Sequence, residues 1–90
     1  MKLITTHVGA DFDSLASMVA ARKLYREGTL CFSGAASRNV RDFLKRHGSR
    51  LTVQTPRKIP LEAISTLIVV DVRSLSRIGP FAEVALRPRV

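Results

Sequence analysis

Leu3-Ile4-Thr5-Thr6-His7-Val8-Gly9-Ala10-Asp11-Phe12-Asp13-Ser14-Leu15-Ala16 changes character twice, and both changes bear on the fold. Leu3 to Thr6 is a short strand-like run. Thr6 to Ser14 is a turn crowded with one imidazole and two carboxylates. From Leu15 the period lengthens: Leu15, Ala16, Val19, Ala20 and Leu24 fall on one face at helical spacing. Asp11 or Asp13 stands at the start of that segment and Arg22, Lys23 and Arg26 near its end, the charge order a helix dipole favours. Gly28 is placed to end it.

Outward from this stretch the alternation repeats. Thr29 to Ser33 reads as a second strand and Gly34-Ala35-Ala36 as a loop. Ser37 is the expected N-cap of a second helix, in which Val40, Phe43, Leu44 and His47 keep the i, i+3, i+4, i+7 pattern and Gly48 closes the run. The pattern makes His47 a core-facing, structural residue. Leu51 to Gln54 suggests a brief strand. Thr55 to Pro60 is a polar connection whose two prolines argue against regular structure, and Leu61 to Ile64 suggests a helical turn. Leu67 to Val70 is a continuous aliphatic run of the kind buried on both faces of a parallel sheet, and it ends on Asp71. Between Ser74 and Leu86 a loop and a short helix from Pro80 are expected. Strands alternating with helices predict an α/β fold, a mainly parallel sheet with flanking helices joined by right-handed crossovers.

The 90 residues allow one domain with a small core, and 46% hydrophobic with 24% charged residues is an ordinary globular composition. The longest apolar run is far too short to span a membrane, and the first residues lead straight into the polar turn, so a cytoplasmic location and no membrane partner are expected. The one cysteine, Cys31, lies between Leu30 and Phe32, the setting of a small core residue rather than a nucleophile. Fifteen Lys and Arg against seven Asp and Glu give a net charge of +8, which points to phosphate-rich partners such as RNA or anionic nucleotides. The aromatic residues Phe12, Tyr25, Phe32, Phe43 and Phe81 are not interleaved with basic ones along the chain as a stacking platform requires, so most are assigned to the core. Neither Gly-x-Gly-x-x-Gly nor Gly-Lys-Ser/Thr occurs.

In open α/β sheets ligands sit outside the carboxyl ends of the strands. His7 follows the first strand and Asp71 ends the last strong one, so the fold brings them to one edge. A neutral imidazole with several carboxylates and no nearby thiolate is a donor set for Mn²⁺ or Mg²⁺, with Zn²⁺ a further possibility. His7 and Asp11 are spaced to share one ion; Asp13 reaches towards a second, with Asp71 between them. Two ions about 4 Å apart suit phosphoester hydrolysis. Plainer readings stand beside this one: Asp11 or Asp13 as an N-cap, His7 as a strand-end histidine bonded to backbone, and Asp71 as a polar strand terminus.

His7-Val8-Gly9-Ala10-Asp11-Phe12-Asp13-Ser14-Leu15-Ala16-Ser17, with Leu67-Ile68-Val69-Val70-Asp71, Arg73 and Ser76-Arg77-Ile78-Gly79 downstream, resembles the N-terminal part of the DHH (Asp-His-His) phosphoesterase family. That family includes exopolyphosphatases, manganese pyrophosphatases and oligonucleotide hydrolases. Adding Ile4-Thr5-Thr6, Met18-Val19-Ala20-Ala21, Lys23-Leu24-Tyr25 and Asn39-Val40-Arg41-Asp42-Phe43-Leu44, the wording is most similar to the DHH domain of tRNA nucleotidyltransferase/poly(A) polymerase family proteins. The resemblance covers essentially the whole chain. It implies His7, Asp11, Asp13 and Asp71 as ligands of two Mn²⁺ or Mg²⁺ ions, with Asp13 and Asp71 at the reaction centre. The implied reaction is hydrolysis of phosphodiester or phosphoanhydride bonds in RNA, tRNA among them, or in nucleotides.

This chain departs from the family pattern in two ways. Ala10 stands where many relatives have proline, and the Asp-His-His motif does not follow Asp71. The expectation is therefore an N-terminal piece of a longer protein, with little activity by itself and an open strand edge on which copies can pair. Two other classes compete: a non-catalytic RNA-binding or regulatory module, and a receiver-like domain phosphorylated on Asp71.

Overall fold

The computed structural model describes residues 1–48, 51–72 and 77–86. In chain order they form β1 (Lys2–Thr5), α1 (Phe12–Leu24), β2 (Thr29–Leu30), α2 (Arg38–His47), β3 (Thr66–Val69) and α3 (Phe81–Ala85). Single 3₁₀ turns occupy Pro56–Lys58 and Leu61–Ala63. The strands are all parallel in the order β2-β1-β3, so the expected α/β architecture is present. Leu3 lies opposite Thr29 and Leu67, and Ile4 opposite Leu30 and Ile68.

β1 is the central strand, which explains why its middle residues are apolar. Successive strand residues face opposite sides, and Leu3 and Ile4 are both fully buried. On one side Ile4 packs with Leu15, Met18, Leu30 and Val40 beneath α1 and α2. On the other, Leu3 packs with Cys31, Ile59, Ile78, Phe81 and Val84 beneath α3. Cys31 is a core residue as expected: burial pushes its thiol up to about 12, which leaves it protonated and unreactive at neutral pH.

Several local expectations are corrected. Of the expected α1 stripe only Leu15 is buried and Val19 half-buried; Ser14, Met18 and Ala21 complete the buried face in place of Ala16, Ala20 and Leu24. Leu24 is 82% exposed. α1 is apolar around most of its circumference, so periodicity alone does not choose the face. The helix ends at Leu24, ahead of Gly28, whose missing side chain instead leaves room for Ile4: a Cβ there would overlap Ile4 Cδ1. Gly48 does close α2 as expected, though in right-handed conformation. Leu51–Gln54 supplies one bridge, Gln54 to Cys31, instead of a strand. β3 is half-buried along its length because it lies at the sheet edge.

His47 is exposed rather than core-facing and stacks on Phe43 at 4.7 Å. Of the five aromatic residues only Phe32 and Phe81 are buried; Phe12, Tyr25 and Phe43 are exposed. The expectation about residues 74–86 falls partly outside the described residues, and α3 follows Pro80 as expected. Among the described residues no helix is long and apolar enough to cross a membrane.

Candidate functional site

Hydroxyl side chains fasten the carboxyl ends of the strands. Thr6 Oγ1 donates to the Val70 carbonyl at 2.8 Å, joining the end of β1 to that of β3. Ser33 Oγ donates to the Thr6 carbonyl at 2.6 Å and lies 2.8 Å from Thr5 Oγ1. All three residues, Thr5, Thr6 and Ser33, are buried, so these bonds form away from water and fix the platform from which the turn departs.

Three backbone bonds then hold the turn itself. Val8 N–H donates to Arg77, Gly9 N–H to Ala35, and the Ala10 carbonyl accepts from Ser37 N–H, at 2.6, 2.8 and 2.9 Å. Gly9 has φ +75°, a conformation glycine adopts without steric cost. Asp11, in extended conformation, caps α1 by accepting from Ser14 N–H at 2.9 Å. The plain capping reading is thus correct for Asp11, and it leaves the carboxylate able to do more.

Ser14 is the centre of the cluster. Its Oγ lies 2.7 Å from His7 Nε2, 2.8 Å from Asp11 Oδ1 and 3.0 Å from Asp71 Oδ2. A hydroxyl carries one proton, so it satisfies only one of these acceptors at a time. Nδ1 of His7 lies 2.9 Å from the Val8 carbonyl, which only accepts. Nδ1 therefore carries the proton, and in the neutral ring Nε2 offers its lone pair towards Ser14. The backbone-bonded reading of His7 is also correct, and this bond is what aims Nε2 at the cluster.

Asp71 closes the group from the end of β3, its Oδ2 3.9 Å from His7 Nε2. It is the one non-glycine residue with positive φ, +55°, among the described residues. Such strain, at a residue gathered with other donors, is a mark of functional sites. His7, Asp11 and Asp71 offer one donor atom each, all within 4.8 Å of one another. Asp13 does not join them; it stands exposed in the first turn of α1, beside Phe12. The sequence reading named the three gathered residues but gave Ser14 no role, although its place three residues after a capping Asp was the available signal.

Hydrogen bonds from Ser14, first its N–H and then its hydroxyl, hold the Asp11 carboxyl below the ordinary value of 3.8. A folded-state pKa below the unfolded one stabilises the fold above the ordinary value and loses that contribution as pH falls through the folded value. The stability advantage of the native chain over Asp11→Asn is therefore expected to be larger at about pH 6 than at about pH 2, as urea titrations at the two pH values would measure. An advantage that grows on acidification would contradict this assignment.

The three donors fit a divalent cation of the Mn²⁺ or Mg²⁺ kind. Carboxylate oxygens suit both, and a neutral imidazole with its other nitrogen bonded to a carbonyl suits Mn²⁺ and Zn²⁺. As the residue that spaces these three donors, Ser14 is expected to matter to a bound cation without itself donating to it. Ser14→Ala should weaken Mn²⁺ binding about tenfold in calorimetry, while the helical circular dichroism is retained; unchanged affinity would remove Ser14 from the site.

Fold and site together define a small parallel α/β unit with an imidazole–carboxylate cluster at the carboxyl end of its sheet. The chain is 50% identical over 91 aligned positions to A-adding tRNA nucleotidyltransferase of Geobacter sulfurreducens, across 100% of this chain and 10% of the relative. It spans about a tenth of the length of the curated relative it matches and is homologous to that segment. No protein-family model matches the chain, and no solved structure matches it significantly.

Proposed function

We propose that the chain is the N-terminal part of a DHH-type, metal-dependent phosphoesterase domain within a protein of the tRNA nucleotidyltransferase/poly(A) polymerase family. The observation that carries the proposal is the convergence of His7, Asp11 and Asp71 at the carboxyl end of the sheet, with donor atoms within 4.8 Å. The homologous segment of a tRNA nucleotidyltransferase supports an RNA-processing setting. His7, Asp11 and Asp71 would hold a Mn²⁺ or Mg²⁺ ion, with Asp13 directed to a second one completed by residues of the longer protein. A bound divalent ion lowers the pKa of its water and polarises a phosphoryl oxygen. The chain's own contribution is positional: the Val8 carbonyl fixes the His7 tautomer, and Ser14 spaces the carboxylates.

The substrate under this proposal is a phosphodiester or phosphoanhydride in RNA or a nucleotide. The test is Mn²⁺-dependent hydrolysis of a short single-stranded oligoribonucleotide by the protein in its natural reading frame, set against Asp11→Asn. Activity in the native protein and its loss in the variant is the expected result. Hydrolysis that survives Asp11→Asn and chelation of metal would refute the proposal. The 90-residue chain by itself should turn over little.

A further inference from the structure

Part of the α1 face that the sequence pattern would have buried is open: Leu15 is buried and Val19 half-buried, but Ala16 and Ala20 are exposed. Ala16, Val19, Ala20 and Leu51 line a groove of about 560 Å³ between α1 and α2, which also takes in the acidic Asp13 and the basic Lys23. At its head Phe12 and Phe43 meet edge to face at 5.7 Å, and His47 continues the row against Phe43. Phe12 is 47% and Phe43 38% exposed, so this aromatic row lies at the surface rather than in the core. Further along, Arg22, Lys23 and Arg26 line the adjoining hollow with Val19 and Leu51. None of the three has an ion-pair partner among the described residues. Aromatic and basic residues that are separate in sequence therefore lie side by side on the surface, so the expectation that most aromatic residues belong to the core does not hold for Phe12 and Phe43.

We infer that this groove binds single-stranded RNA, with bases stacked on Phe12, Phe43 and His47 and the backbone running past Lys23 to Arg22 and Arg26. The inference rests on the RNA setting of the proposed function but not on its metal chemistry. Charge decides between occupants. An apolar protein segment would leave three cations facing a single carboxylate, Asp13, across the groove and its adjoining hollow, whereas a polynucleotide supplies π faces for the rings and phosphates for the cations. About 15 Å of α1 separates Phe12 from Arg22, room for about four stacked nucleotides. Asp11 precedes Phe12, so a strand in the groove ends beside the acidic cluster.

The experiment is fluorescence anisotropy of a labelled ten-nucleotide oligoadenylate with the full chain in the presence of chelator, which separates this binding from any metal site. Phe43→Leu keeps an apolar side chain and removes the π face; it should weaken binding about tenfold while circular dichroism and melting stay native. Arg22→Ala with Arg26→Ala should lower the slope of log affinity against log salt by about two. Affinity unchanged by Phe43→Leu, or equal affinity for an RNA duplex, would overturn the inference. So would a dimer in light scattering that Phe43→Leu dissociates without RNA binding, since the occupant would then be a second copy.

Discussion

Gly79→Ala is expected to cost about 3 kcal/mol of folding stability, read as a lowered urea midpoint with an unchanged slope. Two effects combine. Gly79 has φ +55°, which alanine adopts at a cost of about 1 kcal/mol. A Cβ there would also overlap the Ser33 carbonyl oxygen, which is backbone and has little freedom to yield. Ser33 is bonded to Thr6, so relief of the clash would loosen the end of β1 and the platform under His7. The same movement would lift Ile78 and Phe81, both fully buried, out of the second core. Against a total of roughly 5 to 13 kcal/mol for a chain of this size, such a loss is large. Gly9→Ala is the control: φ is +75° but a Cβ meets nothing within 4 Å, so only about 1 kcal/mol is expected. Equal costs for the two variants would show that the Ser33 contact is not restrictive.

The second large effect concerns metal binding. His7→Ala and Asp71→Asn should each weaken Mn²⁺ binding at least about a hundredfold, because the first removes one of three gathered donors and the second the negative charge of another. Asparagine is the informative replacement at Asp71, since it tolerates the left-handed conformation that Asp71 adopts and removes the charge alone. Asp13→Asn should change the affinity of this chain far less, as Asp13 lies outside the cluster. A loss at Asp13 equal to that at Asp71 would mean that the ion sits towards the groove.

The fold was legible because the two periods are distinct: Leu3 to Thr6 and Leu67 to Val70 read as strands, Ser37 as a cap, Pro80 as a helix entry. What was not legible is which side of a segment faces inward. α1 carries alanine or a larger apolar residue on nearly every side, and only the packing of Met18 and Ala21 on the sheet settles its rotation. For the same reason the exposure of Phe12 and Phe43 could not be read from spacing. At the site, residue types and chain order named His7, Asp11 and Asp71. The hub role of Ser14 depends on three distances that no spacing rule encodes.

The central claim is that His7, Asp11 and Asp71 form one divalent-cation site. The most direct measurement is substoichiometric Mn²⁺ titration of the isotope-labelled chain, followed by the paramagnetic broadening of its NMR resonances. Selective loss of the signals of His7, Asp11, Ser14 and Asp71, restored by excess Mg²⁺, is the result this account predicts. Broadening centred on other residues, or none at all, would contradict it.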